Sequence, residues 1–149
     1  MNNTSRPTTW IIFSLLGALC LLPSAAQGRT LLQDTVWEGE VPVEENILIP
    51  AGITLTVRKD TVVSVMSAES TRTDPEYMSS LTEITVRGTL TVEGDPDAPV
   101  VFRLNQEEKA KGYWAGIIVD GGSMRMRSCT VQDAETGIWV LGGTVHLEG

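Results

Sequence analysis

His146, Arg125 and Glu148 are the residues whose types could do acid–base chemistry. His146 is the only histidine in the 149-residue chain. In the repeat pattern described below it projects outward beside Arg125, with Glu148 two residues further along the same face. An imidazole flanked by a guanidinium and a carboxylate could move protons at a sugar oxygen. The competing reading is an ordinary outward ladder of polar residues, Thr56, Thr91, Arg125 and His146. No second positioned carboxylate adds weight to the catalytic reading.

Asp95 and Asp97, in Gly94-Asp95-Pro96-Asp97-Ala98-Pro99, could offer oxygens to calcium. Calcium takes about six to eight oxygen ligands, and the spaced acids of a calcium loop are missing. A proline-rich turn is the simpler account, so neither metal nor cofactor is expected. Asp120, before Gly121-Gly122, reads as a corner residue. The run Glu107-Glu108-Lys109-Ala110-Lys111 reads as a solvated insertion, with ligand gating as the less simple alternative. Cys129 alternates with Thr130 and Val131 so as to face inward, where a thiol is inert.

The composition narrows the partners. The chain is 42% hydrophobic and 20% charged, with a formal charge of −8, as suits one globular domain. Its 11 basic against 19 acidic residues oppose binding to nucleic acid, whose phosphates need a basic footprint. They also oppose an anionic membrane surface.

The first segment reads as an address. Ile11–Leu22 is an uncharged run of twelve residues behind the single charge of Arg6. A bilayer span needs about 20 apolar residues, whereas a signal-peptide core is shorter. Small Ser24 and Ala26 place cleavage after Ala26. Removing 26 of 149 residues leaves 123, and the loss of Arg6 takes the charge from −8 to −9. Cys20 invites lipidation, but Leu19 before it is larger than that reaction accepts. Only Cys129 remains, so no internal disulfide can form, and no membrane span is expected after cleavage.

The remaining chain repeats. A glycine followed by polar, apolar, polar and apolar residues recurs as Gly88-Thr89-Leu90-Thr91-Val92, Gly122-Ser123-Met124-Arg125-Met126 and Gly143-Thr144-Val145-His146-Leu147. Thr54-Leu55-Thr56-Val57 is an earlier copy, with its glycine at Gly52. The last two copies start 21 residues apart; longer gaps hold the polar insertions Ser67–Ser80 and Asn105–Lys111. A second set precedes the first: Ile47-Leu48-Ile49, Ile84-Thr85-Val86, Ile117-Ile118-Val119 and Ile138-Trp139-Val140. A third follows it: Val63-Ser64-Val65, Val100-Val101-Phe102 and Cys129-Thr130-Val131. Each copy is short and alternates with period two, so each reads as a strand.

Strands that recur in register one repeat later predict a parallel β-helix, in which successive coils stack. The inward ladders would be Leu55/Leu90/Met124/Val145, Val57/Val92/Met126/Leu147 and Ile47/Ile84/Ile117/Ile138. Gly88, Gly122 and Gly143 would sit at coil corners, where the chain needs positive φ or close backbone approach. The predicted class is all-β, a right-handed single-stranded parallel solenoid of about four to five coils over 47–149. Residues 27–46 would form an N-terminal cap, with Leu31, Leu32 and Trp37 lying over the first coil. The C-terminal end shows no evident cap.

Asp34-Thr35-Val36-Trp37-Glu38-Gly39, Ile49-Pro50-Ala51-Gly52-Ile53-Thr54-Leu55-Thr56-Val57 and Gly88-Thr89-Leu90-Thr91-Val92-Glu93-Gly94 resemble secreted bacterial right-handed parallel β-helix repeat proteins of the pectin-lyase-like fold. Ala98-Pro99-Val100-Val101-Phe102, Gly112-Tyr113-Trp114-Ala115-Gly116-Ile117 and Ala134-Glu135-Thr136-Gly137-Ile138 extend the resemblance. Such a family hosts polysaccharide lyases and hydrolases, adhesins and members without known role, so fold does not settle function. The chain would be a short or truncated member, and it has no matching acid, lysine and arginine set of the pectate-lyase type.

Trp37 and Trp114 read as packing residues. Trp139 should point outward, with Leu48, Thr85 and Ile118 in the equivalent positions. That stripe reads either as a docking surface for a sugar ring or partner, or as a face covered by an insertion or the N-terminal segment. At the C-terminal end, Val145 and Leu147 are core-type residues, and self-association is expected there. The functional expectation is a non-catalytic extracytoplasmic module for envelope or surface binding and assembly, with polysaccharide as a possible ligand. The alternatives are a carbohydrate-active enzyme, or a fragment of one, and a truncated reading frame without independent role. Amino-terminal sequencing of the exported protein should begin at Gln27; a cytoplasmic product that keeps Met1 would contradict the leader.

Overall fold

The computed structural model describes residues 29–67, 77–107 and 112–149. The expected leader, 1–26, most of the first insertion and the end of the charge run Glu107–Lys111 lie outside them. Every described strand pairing is parallel, and the strands form two sheets. Among the described residues no helix is long and apolar enough to cross a membrane.

The larger sheet has two ladders. One stacks β1 (Arg29–Thr30), β4 (Ile47–Ile49) and β7 (Glu83–Val86) against the first part of β10 (Gly116–Arg127). The other stacks β2 (Thr35–Trp37), β5 (Thr54–Arg58) and β8 (Thr89–Glu93) against the second part of β10. Both ladders continue onto β12 (Ile138–Glu148), so β10 and β12 each run through a corner. The smaller sheet stacks β3 (Glu40–Val43), β6 (Val62–Val65), β9 (Val100–Leu104) and β11 (Cys129–Val131). Together they enclose one apolar interior, the architecture of a parallel β-helix.

The expected ladders stand residue by residue. Leu55 lies opposite Leu90, Leu90 opposite Met124, and Met124 opposite Val145. Val57, Val92, Met126 and Leu147 form the next stack, and Ile47, Ile84, Ile117 and Ile138 the third. The reason is the two-residue side-chain period: a slip of one residue would turn each apolar set outward. In the smaller sheet Val63 stacks on Phe102, and Phe102 on Val131.

The segment expected as an N-terminal cap does not lie across the end. It supplies β1, β2 and β3, which pair in parallel with β4, β5 and β6. The cause is visible in its alternation: Thr35-Val36-Trp37 exposes Val36 and turns Trp37 onto the core. Leu31 is buried, whereas Leu32 is almost fully exposed.

The corner glycines are set by close approach. A Cβ on Gly122 would lie 2.6 Å from the carbonyl oxygens of Gly88 and Val86. One on Gly143 would collide with the carbonyl oxygen of Gly122, at a residue whose φ is also +100°. The glycines therefore stack on one another as the core residues do. Leu90 is fully buried between Leu55 and Met124, while Thr91 points outward. Leu90→Asp would strand a charge among apolar rungs and should abolish soluble folding; Thr91→Asp should fold. Soluble expression and thermal melting of the two variants check the phase.

Candidate functional site

The outward side chains of β5, β8, β10 and β12 make a polar face on the ladder that carries Leu90. Period two puts three rows on it. Thr54, Thr89, Ser123 and Thr144 form a row of hydroxyls. Thr56, Thr91, Arg125 and His146 form the middle row, and Arg58, Glu93, Arg127 and Glu148 the third. Neighbouring parallel strands lie about 4.8 Å apart, so each row repeats its functional group at that spacing.

The third row alternates in charge. Arg58 Nη1 donates to Glu93 Oε2 at 2.6 Å, and its Nε lies 3.9 Å from Oε1 of Glu38, just past β2. The sequence of charges is Glu38, Arg58, Glu93, Arg127, Glu148. Like charges directly opposite one another oppose pairing and opposite ones favour it, so the alternation suits the stacking. These exposed pairs contribute little to stability; their effect is to set the character of the surface.

The expected trio is assembled in part. His146 lies opposite Arg125 in the ladder, and His146 Nε2 is 2.7 Å from Glu148 Oε1. Both side chains are about half exposed. Arg127 donates from Nε to the Gly94 carbonyl at 3.1 Å. An open groove of about 560 Å³ runs over this region, lined by Arg58, Lys59, Glu93, Arg125, Arg127 and Glu148, with Thr91 and Asp95 at its wall. The sequence reading singled out Arg125, His146 and Glu148 but missed Arg58, Glu93 and Arg127. Their signal was available: each stands two residues beyond the Thr or Arg of the middle row in its own repeat.

Asp95 and Asp97 serve a turn. The Asp97 amide donates to Asp95 Oδ1 at 3.2 Å, and Asp95 bridges Ala98. Asp120 accepts from Arg87 Nε at 2.8 Å. Among the described residues no group of three or more His, Cys, Asp or Glu side chains converges as a metal site. Trp114 is fully buried, with its ring N–H donating to the Gln132 carbonyl at 2.8 Å.

The stripe expected as a docking surface is corrected. Leu48, Thr85, Ile118 and Trp139 do align, but Leu48, Thr85 and Ile118 are buried and only Trp139 is open. Glu83, two residues before Thr85 on the same outer side, is fully buried as well. Its carboxylate accepts from the Met78 amide at 3.0 Å, the Ser79 amide at 2.8 Å and the Thr85 hydroxyl at 2.5 Å. Asn46 Oδ1 accepts from the Glu83 amide. Tyr77–Ser80, the described end of the first insertion, is thereby tied to the outer side of β7, and Leu48 and Ile118 present no open face.

A family model for a pectate-lyase-like beta helix domain matches residues 30–148. No curated protein and no solved structure matches.

Cys129 packs against the core, and burial pushes its thiol above the ordinary value. The thiolate is the reactive form, so a raised value means less of it at neutral pH. Alkylation by iodoacetamide at pH 7 should be much slower than for a free thiol and should accelerate through the alkaline range. A rate at pH 7 equal to that of glutathione would contradict the inward placement.

Proposed function

The chain belongs to the pectate-lyase-like β-helix domain family, and on that premise we propose that it is a non-catalytic extracytoplasmic module that binds polysaccharide on its polar ladder face. The observation that carries this reading is the three-row surface of β5, β8, β10 and β12 with the open groove along it. Hydroxyls and charges repeat there at the rung spacing of about 4.8 Å. A surface with a built-in repeat suits a ligand that itself repeats, and a sugar chain offers hydroxyls to both the Thr row and the charged row. Arg125, on the groove and beside Thr91 and His146, is the cation best placed to meet such a ligand.

The hydrolase reading asks for a carboxyl pair aimed at one glycosidic bond. On this face Glu93 faces Arg58, and Glu148 faces His146. Each carboxylate is thus engaged by a guanidinium or an imidazole instead of by a second carboxyl. The leader, with cleavage after Ala26, supports an extracytoplasmic place of action.

The test is a panel of immobilised polysaccharides, scored for both retention and products. The protein should be retained by at least one of them without releasing reducing ends or unsaturated sugars. Arg125→Ala should weaken retention at least tenfold, since a charge-assisted hydrogen bond contributes about 1.5–3 kcal/mol and about 1.4 kcal/mol is tenfold. Products that disappear in His146→Ala would establish the enzyme instead, and a protein retained by no polysaccharide would remove the binding reading.

A further inference from the structure

With the polysaccharide reading as its premise, we infer that the groove selects a glycan bearing anionic groups, and that Lys59 and Arg125 bind those groups directly, with no metal ion between. The observation is a local reversal of charge. The chain has 11 basic against 19 acidic residues, yet four cations, Arg58, Lys59, Arg125 and Arg127, line the groove with three acids, Glu93, Asp95 and Glu148.

The three acids and two of the cations are already engaged. Glu93 holds Arg58, Glu148 meets His146, and Asp95 accepts from the Asp97 amide. Arg127 donates to the Gly94 carbonyl. Lys59 and Arg125 are left over. Both are exposed, and among the described residues no hydrogen bond or ion pair engages either side chain. Both also stand on inner rungs. Lys59 directly follows β5, which lies between β2 and β8, and Arg125 is on β10 between β8 and β12.

Cations without an internal partner keep their donors for an outside acceptor. Arg125 offers a planar fork that fits the oxygens of a carboxylate or a sulfate ester in pairs, and Lys59 offers a compact point charge. Their strands are two rungs apart, about 10 Å at the spacing of parallel strands, so a polymer with acid groups along its length meets both. The hydroxyl row through Thr89 and Ser123 lies on the same face. Hydroxyls both donate and accept, which suits the hydroxyls of a sugar and favours an acidic glycan over an acidic peptide.

The experiment holds the sugar backbone constant. The whole protein is passed over immobilised dextran, carboxymethyl-dextran, dextran sulfate and polyglutamate, over a salt series and with and without EDTA. At least one charged dextran should be held about tenfold more tightly than dextran, less so as salt screens the contact, and equally well in EDTA. Which charged dextran is held distinguishes carboxylate from sulfate. Lys59→Ala and Arg125→Ala change outward residues, so they should keep the parent's circular dichroism and weaken that retention several-fold; Lys59→Glu should weaken it by about tenfold or more, because like charges repel. Charged dextrans held no better than dextran would overturn the inference, and the polysaccharide reading would then rest on the panel alone. Retention lost in EDTA, polyglutamate held as tightly as the charged dextrans, or folded Lys59→Glu and Arg125→Ala variants that bind as the parent does would each overturn it too.

Discussion

The structure depends on one constraint: every strand must present to its neighbour the same side-chain phase that it presents to the core. Parallel pairing satisfies the backbone whatever the side chains, but the interior is filled only when apolar lies on apolar along the stack. Leu55, Leu90, Met124 and Val145 meet that condition, and so do Val57, Val92, Met126 and Leu147. Residue identity is free to drift among Leu, Val, Ile and Met, because an interior filled by stacking asks for an apolar side chain of roughly the right size. Phase is not free to drift, because a one-residue slip would expose the whole set.

The same constraint governs the corners and the surface. At Gly122 and Gly143 the chain turns directly against the carbonyl of the corner before it, leaving no room for a Cβ. On the outer side, the ladder that fixes Leu90 inward fixes Thr91 outward, and the charged row follows two residues on. The polar face is therefore a by-product of core registration. Arg58 and Glu93 meet at 2.6 Å because Val57 and Val92 are stacked behind them. The groove over Arg125 and Arg127 belongs to the same rows, so any ligand there is held by groups whose spacing the interior dictates.

The outer side is not uniform. Where Glu83 turns its carboxylate to the amides of Met78 and Ser79, a second layer of chain covers the first. A fully buried carboxylate is stable only when its oxygens are hydrogen-bonded, and here two backbone amides and the Thr85 hydroxyl supply those bonds. This arrangement separates two surfaces of one solenoid. The stripe through Leu48, Thr85 and Ile118 is closed, and the face through Thr91 and Arg125 is open.

The sequence by itself determined the fold class, the strands and the three apolar stacks, because period-two alternation and its return one repeat later are local properties of the chain. It also held the charged row, since Arg58, Glu93, Arg127 and Glu148 occupy equivalent places in their repeats. Only the tertiary structure decided that residues 29–43 pair as strands instead of lying across the end, since three-residue alternation in Thr35-Val36-Trp37 is too short to be distinguished from a cap. It alone decided which outward stripe is closed. Leu48 and Ile118 look outward by phase, yet both are buried. On the same side Met78 and Ser79 hydrogen-bond Glu83, contacts between an irregular segment and a strand that no periodicity encodes.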